Sequence, residues 1–338
     1  MDLNTAWFLL VGVLIIGYAI LDGFDLGVGS LYYLLGKTNE ERKVLLGSIG
    51  PFWDGNEVWL LTGGGALFAA FPLVYATVFS GFYLAMMLVL FGLIFRAVAI
   101  EFRNQIDEPV WRQRWDFLFF VGSFLPALLF GVAVGNVAQG LPLDNAYNYT
   151  GGFLALLNPY ALLLGLLGLA AFLMQGVTFT MMKTEGTLQK RAEGLFGTIW
   201  ISFVALYLAG SIYTYIVAPS LFDNYIRYPV LYLVPFITVA GIALAPWAVR
   251  YARYGTAFLA SSLCMAGMIL TLALGMFPNW VPAVDPNLSL TIYNAASSQL
   301  TLKAMLIIAL AGVPIVLFYT IYVYRVFKGK VKLNQGGY

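Results

Sequence analysis

The chain has 338 residues, of which 61% are hydrophobic and only 10% are charged, whereas soluble globular proteins carry about 25% charged residues. Its net charge of +2 is too small for the basic footprint of a nucleic-acid-binding protein. This composition excludes a soluble domain and a polyanion-binding protein. It predicts an all-α polytopic membrane protein.

The sequence contains no histidine, and Cys264 is its single cysteine. Histidine is the commonest haem and transition-metal ligand, and Fe–S clusters and cysteine zinc sites need several thiolates. We therefore expect this chain alone to bind no haem, cluster or metal ion. Cys264 lies in an apolar run and is predicted to be a small buried residue.

Nine apolar stretches are long enough to cross a bilayer as helices, since each has about 20 or more residues. No linker separates them, so residues 1–338 are predicted to form one integral-membrane domain. The first stretch lacks a basic flank and a cleavage site, which favours a retained helix over a signal peptide. The predicted spans are 6–28, 52–71, 74–96, 117–138, 159–182, 194–218, 229–249, 256–277 and 302–325.

The distribution of lysine and arginine predicts an N-terminus outside and a C-terminus in the cytoplasm. With that orientation, sixteen of the 18 basic residues fall in cytoplasmic segments, and only Arg227 and Lys303 fall outside. Such an excess is the usual determinant of membrane-protein orientation, and here it also favours an odd number of spans. The cytoplasmic residues are Lys37, Arg42, Lys43, Arg96, Arg103, Arg112, Arg114, Lys183, Lys190, Arg191, Arg250, Arg253, Arg325, Lys328, Lys330 and Lys332.

Four acidic residues lie inside predicted spans, where a carboxylate is costly unless it is paired, hydrated or protonated. Asp22 and Asp25 are three residues apart on the first span, and Asp54 and Glu57 have the same spacing on the second. Each pair therefore shares a helix face, in the cytoplasmic half of the membrane. Together with Asn56 they predict a polar track for protons, with Asp25 and Asp54 as its main members.

A structural interpretation of these acids stays open. They can line a hydrated vestibule, or they can form ion pairs with Arg96 and with the arginines of the loops. This alternative applies most to Asp22 and Glu57.

Two further features surround the second acidic pair. Trp53 is typical of an interfacial anchor, whereas Trp59 lies more than a turn deeper and is expected to pack against a partner helix or a cofactor. Gly63–Gly65, in the same span, favour close approach of another helix. Near the end of the chain, Ser297 or Ser298 is predicted to cap the last helix.

Five motifs, spread from the first predicted helix to the last, point to a family. They are LDGFDLGVG (21–29), GPFWDGNEVWL (50–60), GGALFAAFPLVYATVFSGFY (64–83), FRAVAIEFR (95–103) and SLTIYNAASSQLTL (289–302). In this order they resemble subunit II of cytochrome bd-type quinol oxidases. The resemblance is strongest over residues 1–140 and 275–325.

The resemblance implies nine membrane helices and a homologous partner, subunit I, which holds two b-type haems, haem d and the outer loop that oxidises quinol. It implies a complex in the inner membrane of a bacterial or archaeal cell. This complex reduces dioxygen to water with protons from the cytoplasm and generates a membrane potential without pumping. A small single-helix subunit often joins the pair. Whether a quinone or a lipid is bound in this chain stays open.

The same resemblance implies roles for individual residues. Asp25 and Asp54 match motif acids that are associated with a proton route toward the haem site. Trp59 matches a tryptophan that approaches the haem region, where oxygen access has been proposed. Glu57 departs from members that carry glutamine at this place, so its role stays open.

Two other classes of function stay open at this point. A proton-coupled secondary transporter would suit four intramembrane acids and glycine-rich spans, and it predicts discontinuous helices around a midplane pocket. A membrane scaffold would make the acids incidental. The oxidase subunit, in contrast, predicts copurification with a haem-bearing partner.

Overall fold

The computed structural model describes residues 2–331, which are mainly α-helical. Lys332, counted above among the cytoplasmic residues, lies outside the described range. Two short strands, β1 (Asn279–Val281) and β2 (Leu290–Thr291), pair antiparallel before the last helix. The helices are α1 (Leu3–Ser30), α2 (Tyr32–Leu35), α3 (Asn39–Ile49), α4 (Trp53–Ala70), α5 (Pro72–Gly81), α6 (Tyr83–Phe102), α7 (Pro109–Gln139), α8 (Pro159–Lys183), α9 (Gly186–Val217), α10 (Asp223–Arg227), α11 (Leu233–Arg250), α12 (Tyr254–Met276) and α13 (Gln299–Val326).

Most of these helices are suited to a bilayer. Eight segments, which contain α1, α6, α7, α8, α9, α11, α12 and α13, are long and apolar enough to cross a membrane. The α4–α5 pair is a further candidate and is bent by 120°. The predicted all-α membrane fold is therefore confirmed, with eight spans, or nine with the bent pair, within residues 2–331.

The third predicted span, 74–96, differs from the structure. Helix α5 ends at Gly81, and α6 begins at Tyr83, on the other side of Phe82. Helix α6 then continues to Phe102, into the predicted loop 97–116. Hydropathy did not predict this break because the residues on both sides of it are apolar.

Helix α8 is central to the packing and contacts α1, α7, α9 and α12. It approaches α1 closely where Gly27 faces Gly176. A Cβ atom on Gly27 would lie 2.8 Å from the Cα atom of Gly176, too close for a side chain. Glycine at both positions therefore brings the two backbones together, as small residues do between membrane helices.

The predicted serine cap is confirmed at the start of α13. Ser298 is the N-cap, and its Oγ accepts a hydrogen bond from the backbone N–H of Thr301 at 3.2 Å. Its neighbour Ser297 has another role, because it donates its N–H to the carbonyl of Ala70 and its Oγ–H to that of Ala69. These bonds satisfy carbonyls that the end of α4 leaves without helical partners.

Candidate functional site

Helix α1 carries a row of polar side chains into the interior. Tyr18, Asp22 and Asp25 follow one another at helical spacing, so they share a face, and all three are buried. The two aspartates have no exposed surface. A buried carboxylate in a membrane protein needs a partner, hydration or a proton. The contacts of each aspartate therefore indicate which of these three it has.

Arg96 joins two of the acids. Its Nη1 donates to Asp22 Oδ1 at 2.7 Å, and its Nη2 donates to Glu57 Oε2 at 3.0 Å. The Arg96 and Asp22 side chains are fully buried, whereas that of Glu57 is 22% exposed. One cation from α6 thus lies between carboxylates from α1 and α4, which leaves a net negative charge when both acids are ionised.

Asp25 has a different environment. Its Oδ2 accepts a hydrogen bond from Asn56 Nδ2 at 2.8 Å. Within residues 2–331, its Oδ1 has no hydrogen-bond partner and no basic side chain forms an ion pair with it. Asp25 is therefore the buried acid of this cluster whose charge no cation compensates.

Asn56 connects three elements around Asp25. Its Nδ2 also donates to the carbonyl of Leu21 on α1 at 3.1 Å, and its Oδ1 accepts from the Tyr324 hydroxyl on α13 at 2.9 Å. The sequence placed Asn56 in the polar track but did not predict Tyr324, which is more than 260 residues away in the chain. We call Tyr18, Asp22, Asp25, Asn56, Glu57, Arg96 and Tyr324 the acid cluster.

Unsatisfied polar atoms gather in the acid cluster. Among the described residues, Tyr18 Oη, Asp22 Oδ2 and Arg96 Nε are buried without a hydrogen-bond partner, as is Asp25 Oδ1. Buried polar atoms in proteins are normally paired with protein groups or ordered water. The cluster therefore concentrates buried polar atoms that are not paired with other groups of the described residues.

Asp54 lies apart from the acid cluster. It is in the first turn of α4 and is exposed, although Asn56 and Glu57 on the same helix point inward. A carboxylate in a first helical turn is stabilised by the positive end of the helix dipole. The structure thus brings together Asp22, Asp25 and Glu57 of the predicted acids but not Asp54.

Two of the other residues singled out on α4, Trp59 and Gly63, have neighbours on α1. The Trp59 ring fills the space that a Cβ atom on Gly17 would need, and Trp59 is partly exposed. Gly63 faces Leu14, with its added Cβ at 3.7 Å, whereas Gly64 and Gly65 have open space beside them. Of these three glycines, Gly63 is therefore the one that faces another helix at ordinary contact distance among the described residues.

A third buried acid, Asp116 on α7, is absent from the predicted site. It accepts hydrogen bonds from Arg103 Nε at 2.5 Å, from Arg42 Nη1 at 2.8 Å and from the Tyr32 hydroxyl at 2.8 Å. These partners come from separate segments, so spacing alone could not reveal them. The only sequence signal for this site is the presence of opposite charges in residues 97–116, the predicted connection between the third and fourth spans. Asp116 thus connects α7 with α2, with α3 and with the end of α6.

Glu41 on α3 forms an ion pair with Arg191 on α9. Arg191 Nη1 and Nη2 donate to the two carboxylate oxygens at 2.8 and 3.1 Å. The Arg191 hydrogen bonds lower the pKa of Glu41 from 4.5 to about 2. Glu41 also accepts from the N–H of Thr38 in a capping box that begins α3.

The donor atoms of this chain do not fit axial ligation of haem by histidine, because the sequence contains none. Within residues 2–331, no group of three or more Cys, Asp or Glu side chains is arranged to hold a metal ion. Cys264 on α12 is fully buried, as predicted. Histidine ligands for a haem in any complex of this chain must therefore come from another chain.

Comparison with known proteins gives a consistent family. The family model of cytochrome bd terminal oxidase subunit II matches residues 3–327. The chain is 41% identical to cytochrome bd-I ubiquinol oxidase subunit 2 of Escherichia coli K12, over 97% of this chain and 95% of the relative. It is 36% identical to cytochrome bd ubiquinol oxidase subunit 2 of Bacillus subtilis, over 99% and 98%.

A solved structure supports the fold. The bd oxidase from Geobacillus thermodenitrificans contains a chain that superposes with a TM-score of 0.81, over 97% of this chain and 99% of that one. The sequence identity is 17%, so this likeness concerns the fold alone. The family match extends from α1 into α13 and includes every residue of the acid cluster. The resemblance noted from the motifs is confirmed, and the chain belongs to the cytochrome bd terminal oxidase subunit II family.

Proposed function

We propose that this chain is a subunit of a bd-type ubiquinol oxidase and assembles with a haem-bearing subunit I in the inner membrane of a bacterial or archaeal cell. The Escherichia coli and Bacillus subtilis relatives, which are named as ubiquinol oxidase subunits, support this function over nearly their whole length. The lack of histidine supports assigning the two b-type haems and haem d to the partner. The family match favours this function over a proton-coupled transporter.

The proposed role of this chain is to carry protons from the cytoplasm. The observation that supports it most is the environment of Asp25, which is fully buried, has one oxygen without a partner and has no ion pair within residues 2–331. Asp22 and Glu57, in contrast, share Arg96. Asp25 is thus the carboxyl group of the cluster best able to take up and release a proton.

The route needs a way out of this chain, because oxygen is reduced in the partner. Asp54 is exposed on α4, and a carboxylate in a membrane span is costly unless it is paired, hydrated or protonated. In our proposal the partner covers Asp54. Asp22, Asp25 and Glu57 then form the inner part of the proton path, and Asp54 leads protons toward the partner.

We further propose that the exposed faces of α4 and α13 contact subunit I. Gly64 and Gly65 have open space beside them, and the most apolar window of α13 has no buried residue within the chain. Small residues permit close packing of a membrane helix from a partner. Trp59 also lies on α4. We propose that oxygen reaches the partner along this part of α4. Membrane quinol, lipid and a single-helix subunit are further proposed partners of the complex.

The assignment is tested by purifying the complex through a tag on this chain. We expect an optical spectrum with b-type and d-type haem bands and quinol oxidase activity in the same fraction. A tagged chain that purifies from its native membrane without any haem-bearing partner would contradict the assignment.

The proton-transfer role is tested by Asp25→Asn, which keeps the shape of the side chain but removes its ability to relay protons. We expect lower quinol oxidase turnover with unchanged haem content. The matched control is Asp107→Asn, because Asp107 is 89% exposed and its ion pair with Arg112 lies at the surface. Equal turnover of the two variants would contradict a role of Asp25.

A further inference from the structure

The hydroxyl of Tyr324 fixes the orientation of the amide that contacts Asp25. Two acceptors, Asp25 Oδ2 and the Leu21 carbonyl, lie on the Nδ2 side of Asn56, and the Tyr324 hydroxyl donates to its Oδ1. A flipped amide would set its oxygen against both acceptors and lose the bond from Tyr324. The amide therefore has one favourable orientation, with an N–H group directed at Asp25.

A groove lies beside this bridge. It has a volume of about 300 Å³ and runs between α1 and α13. Two of its lining residues, Leu21 and Tyr324, are the residues that Asn56 connects. The groove is lined by Leu21, Thr320, Ile321, Tyr324, Arg325 and Lys328. Asp25, one helical turn beyond Leu21, has no exposed surface. Asp25 thus lies outside the groove lining and is linked to Tyr324 of that lining through Asn56.

Few contacts within this chain hold the cytoplasmic end of α13. Among the described residues of this helix only Leu302, near its other end, is buried. The end of the helix is attached by the Tyr324 hydroxyl, by the Phe52 ring at 4.5 Å from that of Tyr324, and by Lys183. Lys183 Nζ donates to the carbonyl of Phe327 at 2.6 Å. Of these attachments, the bond from Tyr324 to Asn56 is the one that leads on to Asp25.

We propose that Tyr324 is a positioning residue for proton transfer, which holds Asn56 against Asp25 and closes the groove toward that acid. This inference rests on the proposed proton-transfer role of Asp25. An amide does not relay protons as a carboxyl group does, so the bridge is not itself the route.

The test uses the purified two-subunit complex with Tyr324→Phe, which keeps the ring against Phe52 but removes the hydroxyl. We expect turnover at saturating quinol to fall about tenfold, with KM for quinol and haem content unchanged. The matched control is Tyr215→Phe on α9, because Tyr215 is 66% exposed and lies outside both the acid cluster and the proposed contact with subunit I, and its turnover should equal that of the parent. Asn56→Ser breaks the same bridge from its other side and should reproduce the loss.

A double-mutant comparison separates positioning from a merely structural effect. If Tyr324 acts through Asp25, adding Tyr324→Phe to Asp25→Asn causes no further loss, since residues that act together are not additive. The same further loss in both backgrounds would overturn the inference. Impaired turnover in Asp25→Asn with normal turnover in Tyr324→Phe would overturn only the positioning role of Tyr324 and would leave the proton-transfer role of Asp25 standing. Normal turnover in Asp25→Asn would overturn the proton-transfer role and this inference with it.

Discussion

Arg96 and Asp22 form a fully buried ion pair, with 2.7 Å between Arg96 Nη1 and Asp22 Oδ1 and no exposed surface on either side chain. The same guanidinium contacts Glu57. Breaking a buried pair is costly because the remaining charges stay buried without compensation. Arg96 thus sets which acids of the cluster are charge-compensated, and Asp25 is not among them.

Replacement of this cation should destabilise the protein. We expect Arg96→Gln to lower the free energy of unfolding by about 3–5 kcal/mol, because it leaves Asp22 and Glu57 unpaired. The measurement is the thermal unfolding temperature and the yield of the purified complex. Arg114→Gln is the control, since Arg114 is exposed on α7.

A rescue variant sharpens this test. Adding Asp22→Asn and Glu57→Gln to Arg96→Gln removes the buried charges and should restore part of the lost stability. If the triple variant is less stable than Arg96→Gln alone, the ion-pair explanation is wrong.

Gly64→Leu tests where the partner lies. Nothing in this chain lies within 4 Å of a Cβ atom at Gly64, so the isolated chain accommodates the side chain. We expect the variant to reduce the amount of haem-bearing partner that copurifies with the tagged chain. Gly197→Leu on α9 is the matched control, because Gly197 also has open space beside it. Equal assembly of both variants would place the interface elsewhere.

The sequence alone predicted the fold class and most spans, because membrane helices have a strong compositional signal. It also predicted that Asp22, Asp25 and Glu57 lie near one another, since helical spacing defines a face. Two residues of the cluster, Tyr18 and Tyr324, were missed because tyrosine in an apolar helix gives no distinct signal. The break at Phe82 was missed because the residues on both sides of it are apolar.

The different environments of Asp25 and Asp54 were also beyond sequence reasoning. Both acids occupy motif positions at similar predicted depth, and nothing in their spacing distinguishes a buried carboxyl group from an exposed one. The distinction depends on how α4 is rotated against α1, which is determined by contacts such as Trp59 on Gly17.

The Glu41–Arg191 ion pair predicts a specific pH dependence. The pKa of Glu41 in the folded protein is lowered to about 2. The ion pair therefore stabilises the fold fully at a pH above the ordinary pKa of 4.5, and this stabilisation is lost as the pH falls from 4.5 to about 2. Glu41→Gln should therefore lower the unfolding temperature by a few degrees at pH 7. The difference from the parent should shrink as the pH falls below 4.5.

The control for this prediction is Glu40→Gln, because Glu40 is the exposed neighbour on α3. The unfolding temperature of Glu40→Gln should match that of the parent at every pH tested. A deficit in Glu41→Gln that stays constant from pH 7 to pH 3 would contradict the ion-pair account, since it would not depend on the charge of Glu41.

The orientation of the chain is tested by cysteine labelling of intact cells with an impermeant reagent. Single cysteines in place of Asn145 and Asn287 should be labelled, because the basic residues predict that both lie outside. A cysteine in place of Glu108 should react only after the cells are opened. Gln335, the other predicted cytoplasmic position for this test, lies outside the described residues. The reverse pattern would put the acid cluster in the outer half of the membrane.

The most direct test of the proton path is the quinol oxidase turnover of the Asp25→Asn, Asp54→Asn double variant, measured in the two-subunit complex with haem content determined in the same sample. The account predicts that turnover falls while the haems stay bound and reducible by quinol. The loss should be partial if subunit I provides a parallel route. Parental turnover in the double variant, with the haems intact, would contradict the account and make both acids structural.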